Sequence, residues 1–183
     1  MNLLFVNDIP FNPSCGGIER VTDMIVKELL RRGGYKITYL CEKLKDQSIM
    51  EYDFPVKVVT LPYKGGFHNL ANITFYARFV KEYQIDIVIN QRGWIDYMND
   101  VLDVDGVKTI SVIHSTIDGW VNLMLSRINF LEKSTWGYIK YGLKQLIFPI
   151  YKSYKKRQFE QHTAAHYREL LAKSTAVSVL SSR

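Results

Sequence analysis

Leu3-Leu4-Phe5-Val6-Asn7, then after a short loop Cys15-Gly16-Gly17-Ile18-Glu19-Arg20, a helical pattern to Arg32, the pair Gly33-Gly34 and a second apolar run from Tyr35 to Cys41 open the chain. Their reading decides the fold. A continuous apolar run such as Leu3 to Val6 suits a strand covered on both faces, as in a parallel sheet. Ile18, Val21, Ile25 and Leu29 then recur on one helical face, with Thr22, Val26 and Leu30 beside it. Arg31 and Arg32 complement the negative end of the helix dipole, and Gly33 or Gly34 supplies a left-handed cap. The unit is strand, Gly-rich loop, helix, strand.

That unit points towards an anion. Adjacent glycines let a ligand approach the backbone closely. They open a helix whose first N–H groups have no partner within the helix. Free donors at the positive end of a helix dipole make a site for a phosphate or carboxylate. The plainer alternative, a tight turn before a helix, uses the same two residues.

Outward from there the alternation continues. Val56 to Leu61 reads as a third strand, Asn69 to Tyr83 as a helix carrying Ile73, Tyr76, Val80 and Tyr83 on one side, and Ile85 to Asn90 as a fourth strand. Lys108 to Ile113 is a fifth strand running into His114-Ser115-Thr116, and Ala176 to Leu180 a sixth. Trp120 to Phe148 is expected to be helical but interrupted at Gly137, Gly142 and Pro149, and Ile150 to Leu171 to be one long helix. Strands alternating with helices predict an α/β fold, a Rossmann-like doubly wound parallel sheet. Ligands in such folds sit beyond the carboxyl ends of the strands. The polar residues there are Asn7 and Asp8, Asn90, Gln91 and Arg92, and His114.

Composition narrows the class. The 183 residues are 47% hydrophobic, enough for a substantial core. Two cysteines, Cys15 and Cys41, make neither a disulfide framework nor a metal site. No run of about eighteen apolar residues exists, and the chain starts on a core strand without a leader pattern, so a cytoplasmic location is expected. The net charge of +6 has one source. Lys133, Lys140, Lys144, Lys152, Lys155, Lys156 and Arg157 lie in a stretch without Asp or Glu, and without these seven the chain has 17 basic against 18 acidic residues.

Gly16-Gly17-Ile18-Glu19-Arg20, with a helix ending in Arg31-Arg32-Gly33-Gly34-Tyr35-Lys36-Ile37-Thr38, resembles the N-terminal signature of the GT-B glycosyltransferases of family 4. The likeness implies one half of a GT-B fold: residues 1–183 as a single acceptor-side domain, with a basic aromatic helical insertion at about 120–157. The C-terminal donor domain, which carries the family's Glu-x7-Glu motif, would lie outside this chain. The activity implied is retaining transfer from a nucleotide-sugar donor to a glycan or lipid-linked acceptor, without a metal or other cofactor, and with this chain alone inactive. Gly16 and Gly17 would offer backbone N–H groups to the donor diphosphate, joined by Arg20. His114 matches the family's histidine after the fifth strand, which contacts the donor sugar, and is the catalytic candidate. Ser115 stands where that family often has an acidic residue. Asn7, Gln91, Arg92 and Trp94 are the acceptor candidates, the tryptophan by stacking on a sugar or packing on a lipid.

Three readings fit the basic segment. Trp136, Lys140, Lys144, Lys152, Lys155, Lys156 and Arg157, interleaved with tyrosines, suit an anionic membrane surface at the inner face of the cell membrane. Nucleic acid is the weakest of the three, and a solvated helix face the plainest. Two rivals to the transferase stand beside it. A dinucleotide-dependent oxidoreductase would use Glu42, at the end of the second strand, on a ribose hydroxyl, although Cys-Gly-Gly departs from Gly-x-Gly-x-x-Gly. A membrane-surface or binding module would keep the fold without the chemistry.

Overall fold

The computed structural model describes residues 1–14, 16–42, 53–93, 98, 104–114 and 135–179, without the side chains of 135–137 and 140–152. Six strands form one sheet: β1 (Asn2–Asn7), β2 (Lys36–Cys41), β3 (Lys57–Thr60), β4 (Ile87–Asn90), β5 (Lys108–Ile113) and β6 (Ala176–Val179). The order across the sheet is β3-β2-β1-β4-β5-β6, and every neighbouring pair is parallel. This is the doubly wound Rossmann order predicted from the alternation. The helices are α1 (Gly17–Arg32), α2 (Leu70–Glu82) and α3 (Thr135–Lys173).

Alternation along each strand sorts the core into two faces. Leu4, Val6, Leu40 and Val88 pack with Phe67, Tyr76, Phe79, Val80 and Met98. On the other side Leu3, Phe5, Ile37 and Tyr39 pack with Val26, Phe11 and Phe54. Burying each large apolar side chain contributes about 1.5–3 kcal/mol. On the second face Phe11 stacks on Phe54 with centroids 3.5 Å apart, and Tyr39 meets both rings edge-on at 5.5 and 5.7 Å. The Tyr39 hydroxyl donates to the Ile9 carbonyl at 3.2 Å, which braces the segment between β1 and α1.

The helices are where predicted, but rotated. In α1 the buried positions are Glu19, Thr22 and Val26, while Ile25 and Leu30 are exposed. In α2 they are Asn72, Tyr76, Phe79 and Val80, and Tyr83 is exposed. In both cases a polar side chain holds a core position because it has a polar task there. α1 ends as expected: Gly33, at φ +75°, donates to the Leu29 and Leu30 carbonyls. α3 is one continuous helix through Gly137, Gly142 and Pro149, contrary to the expected breaks. A glycine costs a helix about 1 kcal/mol and a proline about 3, which 39 residues of helix absorb.

Two compact units can be distinguished. Met1–His114 with Glu169–Leu180 hold the sheet, and in this unit Leu170, at the end of α3, is fully buried beside Gly93 while Ser174 Oγ meets Ser111 Oγ at 2.8 Å. The second, Ser115–Arg168 with Ser181–Arg183, is described here by α3 alone. Tyr138, Ile139 and Tyr154 are exposed along it.

Asn72 shows what a buried amide contributes. It is fully buried, donates to the Tyr63 and Gly66 carbonyls at 2.9 and 2.8 Å, and accepts from the Tyr63 N–H at 3.0 Å. Asn72→Ala is expected to lower stability by roughly 2–4 kcal/mol, because three backbone groups, the Gly66 carbonyl buried among them, lose this partner. Urea unfolding measures it, and a loss under about 0.5 kcal/mol would contradict the assignment.

Candidate functional site

The polar residues named at the strand ends meet where the sheet order reverses, between β1 and β4. β1 carries Asn7 and Asp8 out of its carboxyl end, and β4 carries Asn90, Gln91 and Arg92 out beside them, since Val6 pairs with Asn90. α1 starts at the same edge, as the chain returns from β1.

Arg92 is the hub. Its side chain is 12% exposed, and Nε–H donates to Asn7 Oδ1 at 2.7 Å. Asp8 Oδ1 lies 2.6 Å from the same nitrogen, but the N–H points at Asn7, so the Asp8 contact is an ion pair without an aligned hydrogen bond. Nη2 lies 3.6 Å from Glu19 Oε1 in the first turn of α1, a side chain only 3% exposed. Asn7 Oδ1 also accepts from the Asp8 N–H at 2.9 Å, and Asn90 Oδ1 from the Arg92 N–H at 3.0 Å. The amide nitrogens of Asn7, Asn90 and Gln91 are buried with no hydrogen-bond partner among the described residues. Unsatisfied buried donors at a ligand edge are what a water or a ligand oxygen would satisfy.

The two glycines of the loop have different surroundings. A Cβ on Gly16 would stand 2.5 Å from Glu19 Oε2, so a side chain there would displace the glutamate folded over it. A Cβ on Gly17 would meet nothing within 4 Å among the described residues. The first helical N–H groups there have no side-chain cap. Gly17 therefore fronts open space at the positive end of α1.

His114 follows β5. Its Nε2 lies 3.0 Å from Gln91 Oε1, which, with that oxygen as acceptor, places the ring proton on Nε2 and leaves Nδ1 an acceptor. Burial, followed by the positive charge of Arg92, pulls its pKa down to about 4. At neutral pH the ring is uncharged and suited to a sugar hydroxyl.

Other candidates fall elsewhere. Arg20 is exposed, and its Nε donates to the Pro13 carbonyl at 3.3 Å. Of the acceptor candidates, Arg92 meets Asn7, Asp8 and Glu19, and Gln91 Oε1 meets His114 while its Nε2 has no partner among the described residues. Trp94, Ser115 and Cys15 lie outside the described residues, as do the side chains of Trp136, Lys140, Lys144 and Lys152. Lys155 donates to Gln158 Oε1 at 2.8 Å, Lys156 pairs with Glu160 at 3.7 Å, and Arg157 is exposed. Glu42 is spent on the protein: its carboxylate accepts from the Phe67 N–H at 3.4 Å and fills the space over Gly66, which removes the ribose contact an oxidoreductase would need. Burial pushes the Cys41 thiol up to about 12, so it is no nucleophile at neutral pH. Glu19 is the residue that sequence reasoning missed. Its signal was in the loop motif itself.

The histidine gives a pH prediction. In an unfolded chain His titrates near 6.5. With the folded value at about 4, the unfolded state takes the proton first as pH falls. His114 therefore lowers stability as pH drops from 6.5 towards 4 and has no such effect above. An NMR titration of the ring should give a midpoint well under 5.5, and a value above 6 would refute the assignment.

Comparison with known proteins follows this geometry. The chain matches the family model for Glycosyltransferase Family 4 over residues 15–181. No curated protein matches it. Among solved structures it is similar to the apo form of a lipopolysaccharide outer core galactosyltransferase, WaaB, at 18% identity and a TM-score of 0.42, over 61% of this chain and 32% of that one. The chain thus spans about a third of the length of that enzyme. With nearly all of its length inside the family match, the chain belongs to Glycosyltransferase Family 4.

Proposed function

We propose that the chain is the acceptor-side, N-terminal half of a GT-B glycosyltransferase, which moves a sugar from a nucleotide-sugar donor to a glycan or lipid-linked acceptor with retention at the anomeric carbon. The observation that carries this reading is the Gly17 end of α1, open and uncapped at the carboxyl edge of the sheet, with the neutral His114 at the same edge. The leaving diphosphate gains negative charge as the sugar departs. Backbone donors held at a helix N-terminus stabilise that charge without reorganising. His114 Nδ1 accepts from a donor-sugar hydroxyl, and Asn7 and the loops beyond β4 border the acceptor. No metal is assigned to the reaction. The donor domain would supply the remaining nucleotide contacts, so the chain alone is inactive.

The enzyme would work at the cytoplasmic face of the cell membrane, as a peripheral protein. Support comes from α3, where Tyr138, Ile139 and Tyr154 are exposed on the helix that carries the basic run, with Lys156 and Arg157. Exposed aromatics beside cations suit an interface with anionic lipid. No helix among the described residues is long and apolar enough to cross a membrane.

Full-length protein incubated with labelled UDP- and GDP-hexoses should turn over at least one of them. Gly17→Val should then weaken donor KM about tenfold or more with the melting temperature unchanged, because its side chain enters ligand space rather than protein. His114→Ala should reduce kcat/KM by roughly 10²-fold. Failure of every sugar nucleotide to bind or react would end the transferase reading for this protein. Separately, the protein should sediment with vesicles containing phosphatidylserine at low salt and be released by salt, and vesicles that leave it in the supernatant would end the membrane reading.

A further inference from the structure

We infer that Arg92 is a positioning residue for the Gly16-Gly17 loop: it clasps Glu19 against Gly16 and neutralises two carboxylates beside the anion site. The inference rests on the diphosphate reading of that loop.

Glu19 is held by position and charge, its buried Oε1 without a hydrogen-bond partner among the described residues. Oε2 occupies the space over Gly16, and Oε1 faces Arg92 Nη2 at 3.6 Å. The same guanidinium holds Asn7 Oδ1 at 2.7 Å and Asp8 Oδ1 at 2.6 Å. One side chain from the end of β4 therefore ties the end of β1 to the first turn of α1. The Arg92, Asp8 and Glu19 side chains are 12, 23 and 3% exposed, so water does little to screen them. In such surroundings removing one partner leaves an uncompensated buried charge. Without Arg92, Asp8 and Glu19 would present two unpaired negative charges next to backbone donors meant for a diphosphate. Loop geometry and local charge would fail together. A guanidinium suits the task because its planar fork can serve several acceptors at once.

The test uses full-length protein, hydrogen exchange read by mass spectrometry, and calorimetry with inorganic pyrophosphate. Arg92→Gln should speed exchange of the first hydrogen-bonded amides of α1, Arg20 to Thr22, by about tenfold or more, with the β1 amides unchanged. It should weaken pyrophosphate about tenfold. Adding Glu19→Gln to that variant removes one orphaned carboxylate and should recover most of the pyrophosphate affinity. Arg92→Lys, which keeps the charge and loses the fork, should lose less affinity than Arg92→Gln.

Unchanged exchange in Arg92→Gln would overturn the clasp, and a double variant that binds no better than the single one would overturn the neutralisation. If wild-type protein does not bind pyrophosphate, the diphosphate reading of the loop fails, and the exchange measurement still decides the clasp. Should Arg92→Gln not fold, Glu19→Gln carries the exchange measurement: faster exchange at Arg20 to Thr22 supports the clasp and unchanged exchange overturns it.

Discussion

The parallel pairing of β1 with β4 is the constraint on which the rest of this protein depends. β1 has β2 on one side and β4 on the other, so the chain leaves the middle of the sheet in opposite directions. The connections diverge there, and the carboxyl ends of the two strands are left uncovered by their own crossovers. Backbone and side-chain polar groups can survive at that edge only if something pairs with them. Arg92 pairs with several, and three amide nitrogens have no partner among the described residues. Fold and site are thus consequences of one topological fact.

Charge placement follows the same logic. The interior of the sheet is apolar on both faces, so ionisable groups gather at its edge. Two carboxylates and one guanidinium there leave a negative balance, which by itself would repel a phosphate. The free N–H groups and dipole of α1 act in the opposite direction. The guanidinium also disfavours a second cation close by, which adds to burial in keeping His114 neutral. A neutral imidazole and a paired arginine are two results of the same crowding.

Much of this was legible in the sequence. Short apolar or β-branched runs marked all six strands, most plainly β1, which is buried on both faces, and least plainly β6, which is largely exposed. The Gly-Gly pair before α1, and the polar residues closing β1, β4 and β5, marked the ligand edge. The helix rotations were not legible. Apolar counting put Ile25 on the inner face and left Glu19 off it, yet burial follows pairing as well as hydropathy, and the partner of Glu19 lies 73 positions away at Arg92. The same limit hid Glu42, which looked free at the end of β2 because the backbone it satisfies, at Phe67, follows β3. The continuity of α3 was missed for another reason. Gly and Pro penalties are local, whereas helix stability is summed over length and packing.

The Gly16-Gly17 pair shows how one motif can record two constraints. Gly16 is small because the protein needs the volume: the Glu19 carboxylate occupies it. Gly17 has nothing against it among the described residues, so no contact seen there requires its size. A residue whose smallness serves no contact among the described residues, at the positive end of a helix and at the carboxyl edge of a doubly wound sheet, is what the proposed diphosphate site would need. The Glu-Arg that follows divides likewise. Glu19 turns inward to Arg92, while Arg20 turns outward to the Pro13 carbonyl and to solvent. Gly16 and Glu19 thus build the loop, and Gly17 is left as the exposed position at the start of α1.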